Sequence, residues 1–167
     1  MLRTGGGRRL ITVGFSAHVA APCTRVWLAL ADPSQLAAWH PGLRPGEGAE
    51  RWPDEGATLC WRARLHGIPI EVRETSVEVV EWERLHVRLE LGLFRCDATY
   101  TIAPLDDGPS RTRVGLQVQA ANEVPVVGGT LDRFGVRRVA TEVAAARLTA
   151  LREACEARGP TPGSPAR

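Results

Sequence analysis

Three side chains in this sequence combine proton-transfer chemistry with positions that could face the inside of a fold. Tyr100 is the only tyrosine, and it lies on the apolar phase of an alternating segment. Its hydroxyl could donate to a ligand carbonyl or assist an aldol or dehydration step. A tyrosine bonded to a backbone carbonyl would give the same pattern, so the sequence leaves both roles open.

Glu74 is the carboxylate whose orientation is hardest to assign. The apolar phase of Ile70 and Val72 continues to Glu74, whereas the next apolar residues are displaced by one position, which indicates a β-bulge near Thr75. An inward Glu74 would be desolvated and would be a candidate base. If the bulge lies one residue earlier, Glu74 faces water, and we favour this second arrangement.

His40 follows Trp39 where the second of two short predicted helices ends. It could border a binding site there and act as a base. A surface histidine stabilised by the helix dipole is the alternative, which we favour.

Other chemistry is limited by what the sequence lacks. All 21 basic residues are arginine, so no lysine is available for a Schiff base. The four cysteines and four histidines have no metal-type spacing, and we predict neither a metal nor a cofactor. Glycine-rich phosphate loops and the nucleophile motif of serine hydrolases are also missing.

The composition is that of an ordinary globular domain, with 44% hydrophobic residues and a net charge of +2. That small charge gives little attraction to nucleic acid. No segment approaches the roughly 20 apolar residues that a bilayer span requires. We therefore expect a cytoplasmic monomer or homodimer that has no membrane span and does not bind nucleic acid.

Hydrophobic periodicity predicts the order of the elements. A strand is followed by two short helices that Pro33 separates, by about six strands with tight turns, and by a long helix from about residue 130 to 157. The strands alternate between an apolar face and a charged face, which is typical of an antiparallel sheet with one wet side. We expect a flexible N-terminus at 1–9, one domain at 10–158 and a disordered tail at 159–167.

This order resembles the SRPBCC (START-like, helix-grip) superfamily, and it is most similar there to the bacterial polyketide cyclase/dehydrase group. The residues that carry the resemblance are Ala21, Pro22, Val26, Trp27, Leu30, Asp32, Pro33, Leu36, Trp39 and Pro41, and the turn Glu81–Leu85. The resemblance implies an α+β helix-grip fold, in which a curved antiparallel sheet of about seven strands surrounds the long C-terminal helix.

The resemblance also implies a pocket for a small hydrophobic molecule between the sheet and that helix. Trp61 could stack on a planar ligand there, although core packing would explain it equally well. The alternative for all of the expected lining residues is a filled core that contains no cavity. The residues that we expect to line the pocket are Trp61, Leu89, Phe94, Cys96, Leu116, Val118, Phe134 and Val143.

Three functions are compatible with such a domain. The first is a polyketide cyclase or dehydratase of natural-product biosynthesis that works without a metal, with Tyr100, Glu74 and His40 as its catalytic candidates. The second is a non-catalytic protein that binds or transports a lipid or another hydrophobic ligand. The third is a protein-interaction module that uses the outer face of the sheet, which the charge of that face disfavours.

Overall fold

The computed structural model describes residues 10–40, 43–65, 67–92, 94–106, 108–121, 124–126 and 129–157. The segments predicted to be a flexible N-terminus and a disordered tail lie outside these residues.

The elements follow the predicted order. They are, in sequence, β1 (Leu10–Val19), α1 (Cys23–Ala31), α2 (Pro33–Leu36), β2 (Arg44–Pro45), a short 3-10 helix (Ala49–Arg51), β3 (Thr58–Leu65), β4 (Ile68–Val80), β5 (Arg84–Leu91), β6 (Phe94–Leu105), β7 (Gly108–Ala121), β8 (Val124–Val126), β9 (Gly129–Leu131) and α3 (Arg133–Ala157).

Strands β1 to β7 form one sheet in the order β1-β7-β6-β5-β4-β3-β2, and every neighbouring pair is antiparallel. The chain therefore runs as a meander from β2 to β7, and β1 pairs with β7. A separate two-stranded hairpin of β8 and β9 precedes α3. The predicted helix-grip fold is confirmed: seven antiparallel strands accompany a long C-terminal helix.

The inner face of the sheet forms the core because its strands alternate. On β7, for example, Val114, Leu116 and Val118 are almost completely buried, whereas Gln117, between the last two, is exposed. This pattern of period two is what a sheet with one covered face requires.

Helix α1 ends where two tryptophan side chains satisfy its last carbonyl groups. The Trp39 indole donates to the carbonyl oxygen of Ala29 and the Trp52 indole to that of Leu30, each at 2.9 Å. The final carbonyls of a helix lack partners within the helix, so these bonds replace a conventional cap. They also hold the segment after α2, which carries His40, against the core.

Helix α3 lies closest to β1 and β7. The Asp132 carboxylate accepts from the backbone N–H of Gly135 at 2.9 Å and so caps the first turn. The described contacts of α3 with β3, β4 and β5 are sparse in comparison. The helix is thus packed onto one half of the sheet and leaves space over the other half.

Candidate functional site

A cavity of about 280 Å³ occupies this space, so the alternative of a filled core is wrong. Most of its wall is apolar, and its polar side chains belong to four residues. The lining residues are Trp39, His40, Trp61, Arg64, Ile70, Val72, Leu89, Leu91, Glu142, Val143, Ala146, Arg147 and Ala150.

Arg147 is the central polar residue of the cavity, and the sequence reading did not single it out. Its Nη2 donates to both carboxylate oxygens of Glu74, at 3.0 Å each, and its Nε donates to the hydroxyl of Tyr100. The Arg147 side chain is only 4% exposed. A guanidinium at such depth needs an opposite charge beside it, and Glu74 supplies that charge.

Glu74 points inward, and the preferred expectation of a solvated Glu74 was wrong. The irregularity of β4 lies between Ser76 and Glu78, which is later than expected, so Glu74 keeps the inward phase of Val72. Its side chain is 3% exposed. Besides the two bonds from Arg147, it accepts one from the indole of Trp61 at 3.0 Å.

Tyr100 is inward, as predicted, and completely buried. Its hydroxyl oxygen accepts a hydrogen bond from the Nε group of Arg147, a partner that the sequence analysis did not name. Burial raises the pKa of Tyr100 to about 12, although the charge of Arg147 opposes the rise. The residue is therefore neutral at physiological pH, and it is not among the residues that line the cavity.

His40 lies inside the site, so the expectation of a surface histidine was wrong. It is 3% exposed, and its ring lies between those of Trp39 and Trp61, with centroid distances of 3.9 and 4.6 Å. Burial, with a smaller contribution from the charge of Arg147, lowers its pKa to about 2. The imidazole is therefore neutral over the whole physiological range.

Aromatic rings complete the surroundings of the guanidinium. The Cζ atom of Arg147 lies 4.9 Å from the ring centroid of Trp61 and 5.6 Å from those of Trp39 and Tyr100. A cation above aromatic faces is stabilised by their quadrupoles. Although burial disfavours the charged form, Glu74 and Tyr100 together raise the pKa of Arg147, so the charge is permanent.

Two polar atoms of this cluster have no hydrogen-bond partner among the described residues. They are Nη1 of Arg147 and Nε2 of His40, and both are buried. Buried polar atoms nearly always have a partner. Both residues line the cavity, so a ligand with a polar group could supply the missing partners.

The eight residues that the sequence analysis expected to line the pocket form three groups: three line the cavity, four are buried in the core, and one is exposed. Trp61, Leu89 and Val143 do line the cavity. Phe94, Cys96, Leu116 and Val118 are buried in the core instead, on strands β6 and β7. Since α3 lies close to β7, the residues in that half of the domain meet other side chains and not the cavity.

Phe134 was predicted wrongly. It is 80% exposed and lies in the first turn of α3, two residues before the buried Val136. Two residues correspond to about 200° around a helix, so Phe134 faces away from the sheet. The buried face of α3 does not include it.

Arg64 is a second arginine of the cavity wall. It is exposed, as its strand phase predicts, but it also lines the cavity. Its Nη1 donates to the carbonyl oxygen of Gly67 at 3.2 Å, in the turn between β3 and β4. Its charge therefore lies at the end of the cavity that meets solvent.

The described residues contain neither a metal-binding cluster nor a helix that could span a membrane. No three His, Cys, Asp or Glu side chains there form a group that could hold a metal. The four cysteines are free thiols. None of the described helices combines the length and hydropathy that crossing a bilayer requires.

The fold and the cavity define a helix-grip domain with an internal pocket, and the sequence places it in a family. The chain belongs to the polyketide cyclase/dehydrase and lipid transport family, whose match extends over residues 11–156. The predicted resemblance is thereby confirmed. No curated protein matches the chain.

Solved structures share the same fold. The Zhui aromatase/cyclase from Streptomyces sp. R1128 has 18% identity and a TM-score of 0.71, over 93% of this chain and 100% of that one. A START superfamily protein from Mycobacterium smegmatis has 20% identity and a TM-score of 0.67, over 89% and 99% of the two chains. DynU16, a putative protein of the dynemicin biosynthetic locus, has 18% identity and a TM-score of 0.56, over 89% of this chain and 49% of that one.

Proposed function

We propose that this protein binds a small, mostly apolar molecule in the cavity between α3 and strands β3 to β5. The observation that carries the proposal is the cavity itself, with its apolar wall and one polar end formed by Arg147 and His40. Ligand sites of proteins typically combine such a wall with a few oriented polar groups. The volume of about 280 Å³ suits a compact ligand of two or three rings.

Binding without conversion is the function that the side chains favour. Both oxygens of Glu74 accept bonds from Arg147, and the Tyr100 hydroxyl also contacts Arg147. His40, with a pKa of about 2, is a weak base at neutral pH. An efficient acid or base has a pKa near the working pH, and neither His40 nor Tyr100, whose pKa is raised to about 12, meets that condition.

A cyclase or dehydratase is the second candidate, and the orientation of Arg147 supports it. A carbonyl oxygen placed against the guanidinium would be polarised, and the negative charge that develops on it when an enol carbon of the same molecule attacks the carbonyl carbon would be stabilised. The enol proton would then pass to that oxygen, so this aldol step needs no base from the protein. The shape of the cavity would hold the reacting carbons together. In this mechanism Tyr100 and Glu74 position Arg147, and His40 is the one predicted candidate that contacts substrate. The family description and the name of the Streptomyces neighbour are compatible with this activity.

Native mass spectrometry of protein purified from its own host tests the proposal. We expect an adduct of a small organic molecule on the wild-type chain. The variant Ala146→Phe, which fills the cavity, should lose the adduct. Ala145→Phe should keep it, because Ala145 is exposed like Ala146 but does not line the cavity.

The same experiment separates the two candidate functions. The recovered molecule is returned to ligand-free protein and followed by chromatography. A binding protein leaves it unchanged, and an enzyme that had retained its substrate converts it. A wild-type chain that carries no adduct and binds no apolar probe would contradict the proposal.

A further inference from the structure

We infer that the cavity selects ligands whose polar group is a neutral oxygen acceptor, such as a ketone, quinone or lactone carbonyl, and discriminates against carboxylates. This inference rests on the proposed binding function and specifies its ligand class.

At the buried end of the cavity, the N–H groups of Arg147 could donate to an oxygen acceptor of the ligand. A guanidinium carries five N–H groups in a planar fork. In Arg147 the Nε group is directed to Tyr100 and the Nη2 group to Glu74, whereas Nη1 has no partner among the described residues. An oxygen placed against Nη1 would therefore satisfy a buried donor without displacing an existing bond.

The net charge at this end of the cavity determines which kind of oxygen acceptor can bind. An arginine in a pocket commonly recruits a carboxylate, because the two form a bidentate charged pair. Here Glu74 already occupies that role from within the protein, 3.0 Å from Arg147. Arg147 and Glu74 sum to zero charge, and the neutral His40 and Tyr100 add none. A ligand carboxylate would thus bring a second negative charge next to Glu74 in a site shielded from water, where like charges repel strongly.

A neutral carbonyl avoids this penalty. It accepts from Nη1 with a partial negative charge, and it loses much less hydration on entering the cavity than a carboxylate does. The ring faces of Trp61 and Trp39 near the guanidinium would pack against the planar body of an aromatic ketone.

The experiment uses three probes with one ring system: 2-acetylnaphthalene, 2-naphthoate and 2-ethylnaphthalene. Calorimetric titration of the wild-type chain at pH 7 measures each dissociation constant. We expect the ketone to bind roughly tenfold more tightly than the carboxylate, which corresponds to about 1.4 kcal/mol, and also more tightly than the hydrocarbon.

A pH series on the wild-type chain tests the electrostatic cause without any variant. If only the protonated acid enters the cavity, the affinity for 2-naphthoate should rise severalfold to tenfold for each pH unit between pH 7 and 5.5, because the neutral fraction of a carboxylic acid rises in that proportion above its pKa. The affinity for the ketone should stay constant. The charged or titratable groups around the site are Arg147, Glu74, Tyr100, His40 and Cys96 inside, and Arg64, Glu142 and Arg138 towards solvent.

The variant Glu74→Gln should invert the preference. It removes the compensating charge and retains an acceptor for Trp61 and Arg147, so naphthoate should then bind more tightly than the ketone. Glu71→Gln is the matched control, since Glu71 lies on the same strand with its side chain 61% exposed, and its preference should equal that of wild type. Circular dichroism checks that each variant is folded.

The outcomes distinguish this inference from the function on which it rests. Binding of all three probes with equal affinity, or tighter binding of naphthoate to the wild-type chain, overturns the selectivity and leaves the binding function intact. If folded wild-type protein binds none of the three, both the inference and the binding function are overturned.

Discussion

Arg147 is the residue on which the organisation of the site depends. It lies one helical turn from Val143 and one from Leu151, so three residues at a spacing of four share the inner face of α3. That spacing was the signal in the sequence that could have identified it, since a charged residue within an apolar stripe must be paired. From this helix the sequence analysis chose only Phe134 and Val143 as lining residues, and it did not consider Arg147.

The buried pair of Arg147 and Glu74 gives a prediction for stability. Arg147→Met should lower the free energy of unfolding by about 3–5 kcal/mol, because it leaves an uncompensated buried carboxylate. The double variant Arg147→Met/Glu74→Met should be more stable than the single variant, because no unpaired charge remains. Urea unfolding monitored by circular dichroism measures both values.

The control for this comparison is Arg138→Met on the same helix. Arg138 pairs with Glu142 at 3.1 Å, and its side chain is 71% exposed. Its loss should cost less than about 1 kcal/mol. A double variant no more stable than Arg147→Met would contradict the view that Glu74 needs the arginine.

Tyr100 can be observed directly, because it is the only tyrosine in the chain. Spectrophotometric titration of the folded protein should show phenolate formation with a pKa of about 12, whereas the urea-unfolded chain should titrate near the ordinary value of about 10. Since the folded pKa is the higher one, the buried tyrosine contributes stability that is complete below pH 10 and is lost as the pH rises towards 12. A folded protein that titrates near 10 would show that Tyr100 is accessible to water.

At the scale of elements, periodicity predicted most of the fold. The two-residue period placed the inner faces of β5, β6 and β7 correctly, and Pro33 separated the two short helices as expected. Local patterns could not predict where α3 approaches the sheet, because that depends on packing between residues far apart in the chain. For this reason Leu116 and Val118 were correctly predicted to be buried but wrongly expected to line the cavity.

The position of the β-bulge in β4 is a second feature that the sequence alone could not predict. The sequence revealed that the strand phase changes near Thr75, but the position of the irregularity is fixed by pairing with β5, between Ser76 and Glu78. A displacement by one or two residues decides whether Glu74 faces water or Arg147. A pattern within one strand contains no information on its partner, so the orientation of Glu74 remained open.

The division of α3 into a buried face and an exposed face gives a prediction for stability. Leu151→Ala should reduce the free energy of unfolding by about 2–5 kcal/mol, because Leu151 is fully buried. Phe134→Ala should change it by less than about 0.5 kcal/mol, because its exposed ring makes little core contact. Urea unfolding of the two variants provides the measurement. A comparable loss for both would mean that Phe134 packs into the protein.

At the scale of the whole molecule, the position of α3 over one half of the sheet accounts for the cavity. The half of the sheet next to β1 and β7 is a packed core, which supplies stability. The half formed by β3, β4 and β5 contributes residues to a wall around empty space, with the charged cluster at one end. One domain therefore combines a packed half with a half that borders a cavity.

Ligand binding in this cavity is tested most directly by the affinity of the chain for 2-acetylnaphthalene in calorimetric titration, measured for wild type, Ala146→Phe and Ala145→Phe. We predict saturable binding at one site in wild type and in Ala145→Phe, and at least a tenfold weaker affinity in Ala146→Phe, whose ring would occupy the cavity. An absence of binding in wild type, or equal effects of the two substitutions, would contradict the claim that this cavity is the ligand site.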